Sequence, residues 1–225
     1  MRLEVPTGKV TRSHGDVHPS GNPHYWLDPL NGRIVAGEIA ERLAVLRPGH
    51  AAEFEQNLKA FEQALDEHMF GVELVGQVGG DELWALLLNG QLDTHLEKEQ
   101  VGAAVGGWLA KLRPHRGAPV IVYHRSWVYF VDRFGLRIAA ELEPKPGIPP
   151  TASHLQKVIR TVSEKDVPLI MIEPFYNRKA ADKVAAKTDA EVIVCANSVG
   201  GQAEASDYIA LLDLIVSRVA DALER

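Results

Sequence analysis

The chain has 225 residues, 46% of them hydrophobic, and a formal charge of -6 at neutral pH. That is enough for one large domain or two small ones around a real core, and no run of about 18 apolar residues is present to span a membrane. A net-negative chain with mixed signs throughout argues against a nucleic-acid partner and suits a small cation better. The start, Met1-Arg2-Leu3-Glu4-Val5-Pro6, has no apolar core of signal-peptide type, so no export address is expected in the chain as it stands. Its single cysteine, Cys195, cannot form an internal disulfide and sits in a run, Val192 to Ala196, that reads as a buried strand.

Residues 1 to 30 read as an extended, turn-rich lead-in. Within it, His14, Asp16, His18, His24 and Asp28 are interleaved with Gly15, Pro19, Gly21, Pro23 and Pro29, which exclude a helix. Imidazole and carboxylate on a proline-stiffened loop suit a transition metal, although a solvated loop has the same composition. A helix is expected from near Asn31, where Val35, Ile39, Leu43 and Leu46 repeat at helical spacing until Pro48. A longer one is expected from about Gly49 to Met69, with Phe54, Leu58, Phe61, Leu65 and Met69 on one side and Glu53, Lys59 and Glu67 on the other. Both stripes are expected to pack into a core. Residues 70–107 read as an irregular insertion with short helical pieces such as Glu82 to Leu88, broken by glycines.

Beyond Val105 the pattern becomes regular. Strands are expected at Pro119 to Tyr123, Leu136 to Leu142, Pro168 to Ile172 and Glu191 to Cys195. Between and after them, helices are expected at Ser126 to Phe134, Ala152 to Lys165, Asn177 to Lys187 and Ser206 to Glu224. This alternation predicts a four-stranded parallel sheet of α/β class. Ligands of such sheets bind beyond the carboxyl ends of the strands. The residues there are His124, Glu143, Glu173 and Asn197-Ser198. Imidazole and carboxylate together suit Zn(II) or Mn(II).

Four ordered motifs carry a resemblance. Asn22-Pro23-His24-Tyr25-Trp26-Leu27-Asp28-Pro29, Tyr123-His124-Arg125-Ser126-Trp127, Glu143-Pro144-Lys145-Pro146-Gly147 with His154, and Asn197-Ser198-Val199-Gly200-Gly201 resemble the zinc/manganese solute-binding proteins of bacterial ABC transporters. The likeness extends over nearly the whole chain, the glycine-broken insertion included. It implies residues 1–48 as part of an N-terminal lobe, 49–69 as a long connecting helix, 70–107 as an insertion and 108–225 as a C-terminal α/β lobe. His24 and His124 map onto metal ligands, Glu173 and Asn197 are candidates to complete the set, and His18, Asp16, Glu143 and His154 are candidate supports. Asn197 stands where many family members have an aspartate, and an amide is the weaker ligand.

By the same resemblance the cargo is Zn(II) or Mn(II), the partner a membrane permease, the state monomeric and the parent protein periplasmic or membrane-anchored outside the cytoplasm. The family's earlier lobe and its signal segment have no counterpart here, so an N-terminally truncated remnant with an incomplete site is one alternative. A metal-dependent hydrolase is another, though no His-Glu-x-x-His spacing occurs. His18 is expected to shape its loop, and His154 to be structural, bridging to Glu143. Trp26 and Trp127 are expected beside the ligands or in the core.

Overall fold

The computed structural model describes residues 4–8 and 18–225. They fall into two compact units: Pro29–Pro114, and the residues up to Asp28 together with His115–Arg225.

The first unit is helical. Helices α1 (Pro29–Leu46), α2 (Ala51–Phe70), α3 (Val72–Val78), α4 (Gly80–Leu88), α5 (Leu92–Lys98) and α6 (Gly107–Leu112) follow in order. Proline at the first position of α1 costs no hydrogen bond, and Pro48 ends the run. The segment expected to be irregular is thus three short helices and a connector. Three of its glycines, Gly71, Gly106 and Gly107, allow close backbone approach, while Gly76, Gly79, Gly90 and Gly102 have open space around them. Gly71 has φ +93° and lies so near Gly106 that a Cβ on it would meet Gly106 Cα at 2.6 Å. A Cβ on Gly107 would meet the His68 carbonyl oxygen at 2.1 Å.

Leu65, Met69, Phe70, Leu74, Leu83, Trp84, Trp108 and Leu112 form the buried part of this unit. Asp66 is buried among them, where the Trp84 indole N–H donates to its Oδ1 at 2.6 Å and Arg33 Nε stands 3.2 Å away. The expected stripes behave differently along their length. On α1, Ile39 is 54% exposed, Leu43 38% and Leu46 64%, and on α2 only Leu65 and Met69 of the stripe are fully buried. The expectation that both stripes pack into a core therefore fails for Ile39, Leu43 and Leu46 of α1, while Val35 of α1 and Phe54, Leu58 and Phe61 of α2 are half-buried. Periodicity marks an apolar face without supplying what covers it.

The second unit holds the sheet. Strands β1 (Pro119–Val122), β2 (Arg137–Glu141), β3 (Leu169–Ile172) and β4 (Glu191–Val194) lie parallel in the order β2-β1-β3-β4. Helices α7 (Val128–Arg133), α8 (Ala152–Glu164), α9 (Lys179–Ala185) and α10 (Tyr208–Leu223) complete the alternation. The side chains of Thr151 and Asp207 cap α8 and α10 by accepting from backbone N–H groups of their first turns. Leu155, Val158 and Val162 of α8 pack with Ile121, Ile170, Ile172 and Val184 in one core. Cys195 is fully buried just past β4, and burial pushes its thiol up to about 12. It is an inert core residue.

Candidate metal centre

All the described candidates for the site belong to the second unit. Strand β1 runs directly into His124, which precedes a 3-10 turn at Arg125–Trp127. His24 precedes a similar turn at Tyr25–Leu27, fixed in place by Trp26, whose indole N–H donates to the Asn197 carbonyl at 2.7 Å. The Tyr208 hydroxyl donates to the Trp26 carbonyl at 2.6 Å, and Arg133 grips the Asp28 carboxylate with two bonds of 2.7 Å. The His-bearing loop is therefore held at its far end by hydrogen bonds to the sheet-bearing unit. The two imidazoles meet edge-on with ring centroids 5.5 Å apart.

Each ring has one nitrogen committed. His24 Nδ1 faces Asn22 Oδ1 at 2.8 Å and His124 Nδ1 faces Glu143 Oε2 at 2.5 Å. Both partners are acceptors, so both Nδ1 atoms carry the proton and donate. Nε2 is left on each ring as the lone-pair nitrogen, which is the tautomer a metal needs. Glu143 is nearly fully buried, and its second oxygen accepts from the Gly147 N–H at 3.0 Å. The Pro-Gly loop after β2 thus holds the carboxylate that orients His124.

Glu173, at the end of β3, is completely buried. Ser126 Oγ donates to its Oε1, while Oε2 is buried with no hydrogen-bond partner among the described residues. Burial, outweighing the opposing Ser126 bond and the nearby His124, pushes its carboxyl up to about 7. A carboxyl so placed has an unsatisfied oxygen and a proton to give up, both of which a cation would resolve. His24 is driven the other way. Burial first, then the neighbouring His124 and His18, lowers it to about 4. It is neutral, and so able to bind metal, across the physiological range.

The rest of the expected set divides. His18 is exposed and lines a cavity of about 390 Å³ that also touches His24, His124, Asn22 and residues 4–7. Asn197 is buried and engaged through its carbonyl, with no hydrogen bond from its amide among the described residues. His154 does not bridge to Glu143. Its Nε2 donates to the Glu141 carbonyl at 2.9 Å, because the first turn of α8 sets it beside β2. Asp16 lies outside the described residues, as does His14. Trp26 stands 5.5 Å from the His24 ring, whereas Trp127 is core, packed against Phe130. Sequence reasoning missed Asn22 as the partner of His24, although a side-chain amide two residues before a candidate ligand is a readable signal. It also missed Tyr176, whose ring lies 6.2 Å from His124 and stacks on Tyr123.

Among the described residues no group of three or more His, Cys, Asp or Glu is arranged to hold a metal ion. The arrangement supplies two oriented imidazole nitrogens with a buried carboxyl beside them.

Comparison with known proteins agrees on the architecture. The family model described as "Zinc-uptake complex component A periplasmic" matches residues 3–69 and 98–222. It leaves 70–97 unmatched, the stretch of α3, α4 and most of α5. The high-affinity zinc uptake system protein ZnuA of Brucella abortus is 27% identical over 201 residues, covering 89% of this chain and 48% of that protein. The ZnuA of Yersinia pestis is 24% identical over 172 residues, 76% of this chain and 43% of its own length. The chain thus spans about half the length of the curated relatives it matches. A crystal structure of ZnuA overlays with a TM-score of 0.63 at 24% identity, covering 92% of this chain and 62% of that one. The solute-binding protein FpvC of Pseudomonas aeruginosa, solved with Mn2+, gives 0.67 at 22% identity, covering 99% and 67%.

Proposed function

Since the chain belongs to the family of zinc-uptake complex component A, we propose that it captures Zn(II) or Mn(II) outside the cytoplasm and hands it to an ABC permease. The observation that carries this reading is the pair of imidazoles, each with Nδ1–H tied to an acceptor and Nε2 left for a ligand. His24 and His124 bind the ion. Glu173 gives up its proton and adds charge, and Asn197 is the weaker oxygen donor. His18, Asp16 and Glu143 support them. The ion is cargo, and no bond is made or broken beyond exchange of coordinated water. Residues 51–70 act as the rigid connector of the family's fold, and the protein works as a monomer.

A second reading rests on the same site. With no converging group of three ligating side chains among the described residues, two imidazoles and water make an incomplete site that holds zinc weakly. One experiment separates the two readings: a chelator-competition zinc titration of the purified chain beside His24→Ala and His124→Ala. One tight site, weakened at least tenfold by either substitution, is the expected result. Weak binding indifferent to both excludes this pair as the capture site.

A further inference from the structure

Glu4 is distant in sequence from every strand, yet it joins the two segments that carry the imidazoles. Its backbone N–H donates to the Tyr129 hydroxyl at 2.9 Å, and its carbonyl accepts from the Asn22 N–H at 2.8 Å. The Tyr129 hydroxyl in turn donates to the Asn22 carbonyl at 2.8 Å. The Glu4 carboxylate accepts from Asn22 Nδ2 at 2.9 Å through one oxygen and from Arg125 Nε at 2.9 Å through the other. Arg125 follows His124 directly, and Asn22 precedes His24 by two residues.

These bonds bear on the proton of His24. An amide can present either its oxygen or its nitrogen in a given direction, and its surroundings decide which. Asn22 Nδ2 faces two acceptors, the Glu4 carboxylate and the Arg125 carbonyl, both at 2.9 Å. Oδ1 must then turn toward His24, where it accepts from both the backbone N–H at 3.1 Å and Nδ1 at 2.8 Å. The Glu4 contact is the only charged one of the four, and charge-assisted hydrogen bonds are roughly twice as strong as neutral ones.

We propose that Glu4 is a positioning residue of the metal site: by fixing the Asn22 amide it holds His24 as the Nδ1–H tautomer and presents Nε2 to the ion. The proposal rests on the metal-capture reading for its consequence, but the tautomer itself is a property of the metal-free protein. Glu4→Gln is the informative variant. Both groups facing this carboxylate are donors, so a glutamine must turn its own NH₂ against one of them, with little change in volume.

The test pairs two measurements on the full chain. Two-bond nitrogen–proton NMR of the metal-free protein reads the His24 tautomer, and chelator competition reads zinc affinity. Glu141→Gln is the control, since Glu141 also pairs with Arg125 but does not touch Asn22. The expected result is a pure Nδ1–H signature in the parent chain and in Glu141→Gln, a mixed one in Glu4→Gln, and zinc weakened about tenfold in Glu4→Gln alone, the scale of losses from partners of metal-bound imidazoles. A Glu4→Gln protein that keeps the pure tautomer overturns the proposal, as does equal weakening by the two variants. If the parent chain binds no zinc, the capture reading fails and the tautomer measurement still decides the role of Glu4.

Discussion

The helical hairpin of α1 and α2 and the sheet-bearing unit were built from equally regular apolar patterns, and they use them in opposite ways. In the second unit the stripe of α8 closes on the sheet, and Ile121, Ile170 and Ile172 are fully buried. In the first, Ile39, Val45 and Leu46 of α1 stand more than half exposed. A hydrophobic period is therefore evidence about which face of an element is apolar. Whether that face contributes stability depends on what lies against it.

The sharpest way to break this comparison is to truncate one apolar residue from each region. Ile170→Ala removes a fully buried side chain from the central core, and a loss of about 3 kcal/mol is expected from the cavity and transfer terms together. Ile39→Ala removes one that is more than half exposed, with an expected change within about 0.5 kcal/mol. Urea-induced unfolding measures both. Equal losses would mean that the α1 face is covered in solution.

Within the helical unit, backbone approach matters more than the stripe. Gly107 has φ +58° and no room for a methyl group against the His68 carbonyl. Gly107→Ala is expected to destabilise by about 2 kcal/mol, combining a left-handed backbone with a steric clash. Gly76→Ala, at a helical glycine with open space around it, is expected to be neutral or slightly stabilising. A thermal melt of the two variants separates glycines that hold the fold from those that merely occur in it.

These contrasts explain what the sequence made legible. β1 and β3 were readable because each is a short apolar run covered on both faces, and the edge strands β2 and β4 through their alternation with helices. The strand-end residues His124, Glu143 and Glu173 followed from the sheet alone. The hydrogen bonds that orient them did not, because they join residues far apart in the chain. Glu4 pairs with Arg125 across 121 positions, and nothing local to either residue announces it. His154 shows the same limit. Its spacing from Glu143 was compatible with a bridge, but the start of α8 directs it to the Glu141 carbonyl instead. Ligand candidates follow from topology, while the bonds to their Nδ1 atoms come from residues at very different distances in the chain, Asn22 two positions from His24 and Glu143 nineteen from His124.

The smallest effect concerns the proton on His24. Its value is about 4 in the folded protein against an ordinary 6.5, with burial as the main cause and the like-charged forms of His124 and His18 adding to it. As pH falls from about 6.5 toward 4, the unfolded chain takes up a proton that folded His24 refuses. Stability contributed by this residue is therefore complete above about 6.5 and is lost through that acid window. The ring is partly open to solvent, so screening holds the effect to the order of 1 kcal/mol. His24→Gln should flatten the pH dependence of metal-free stability between pH 6.5 and 4, and leave the range above 7 unchanged. The same depression moves proton competition at His24 below the range in which an ordinary histidine would lose its metal. Between pH 8 and 6, a fall in zinc affinity then belongs mainly to other groups. Glu173, poised at about 7, is the first to examine, and Glu173→Gln should reduce that slope if its carboxylate joins the ion. An undiminished slope in Glu173→Gln would remove it from the site and leave the two imidazoles and Asn197 as the proposed ligand set.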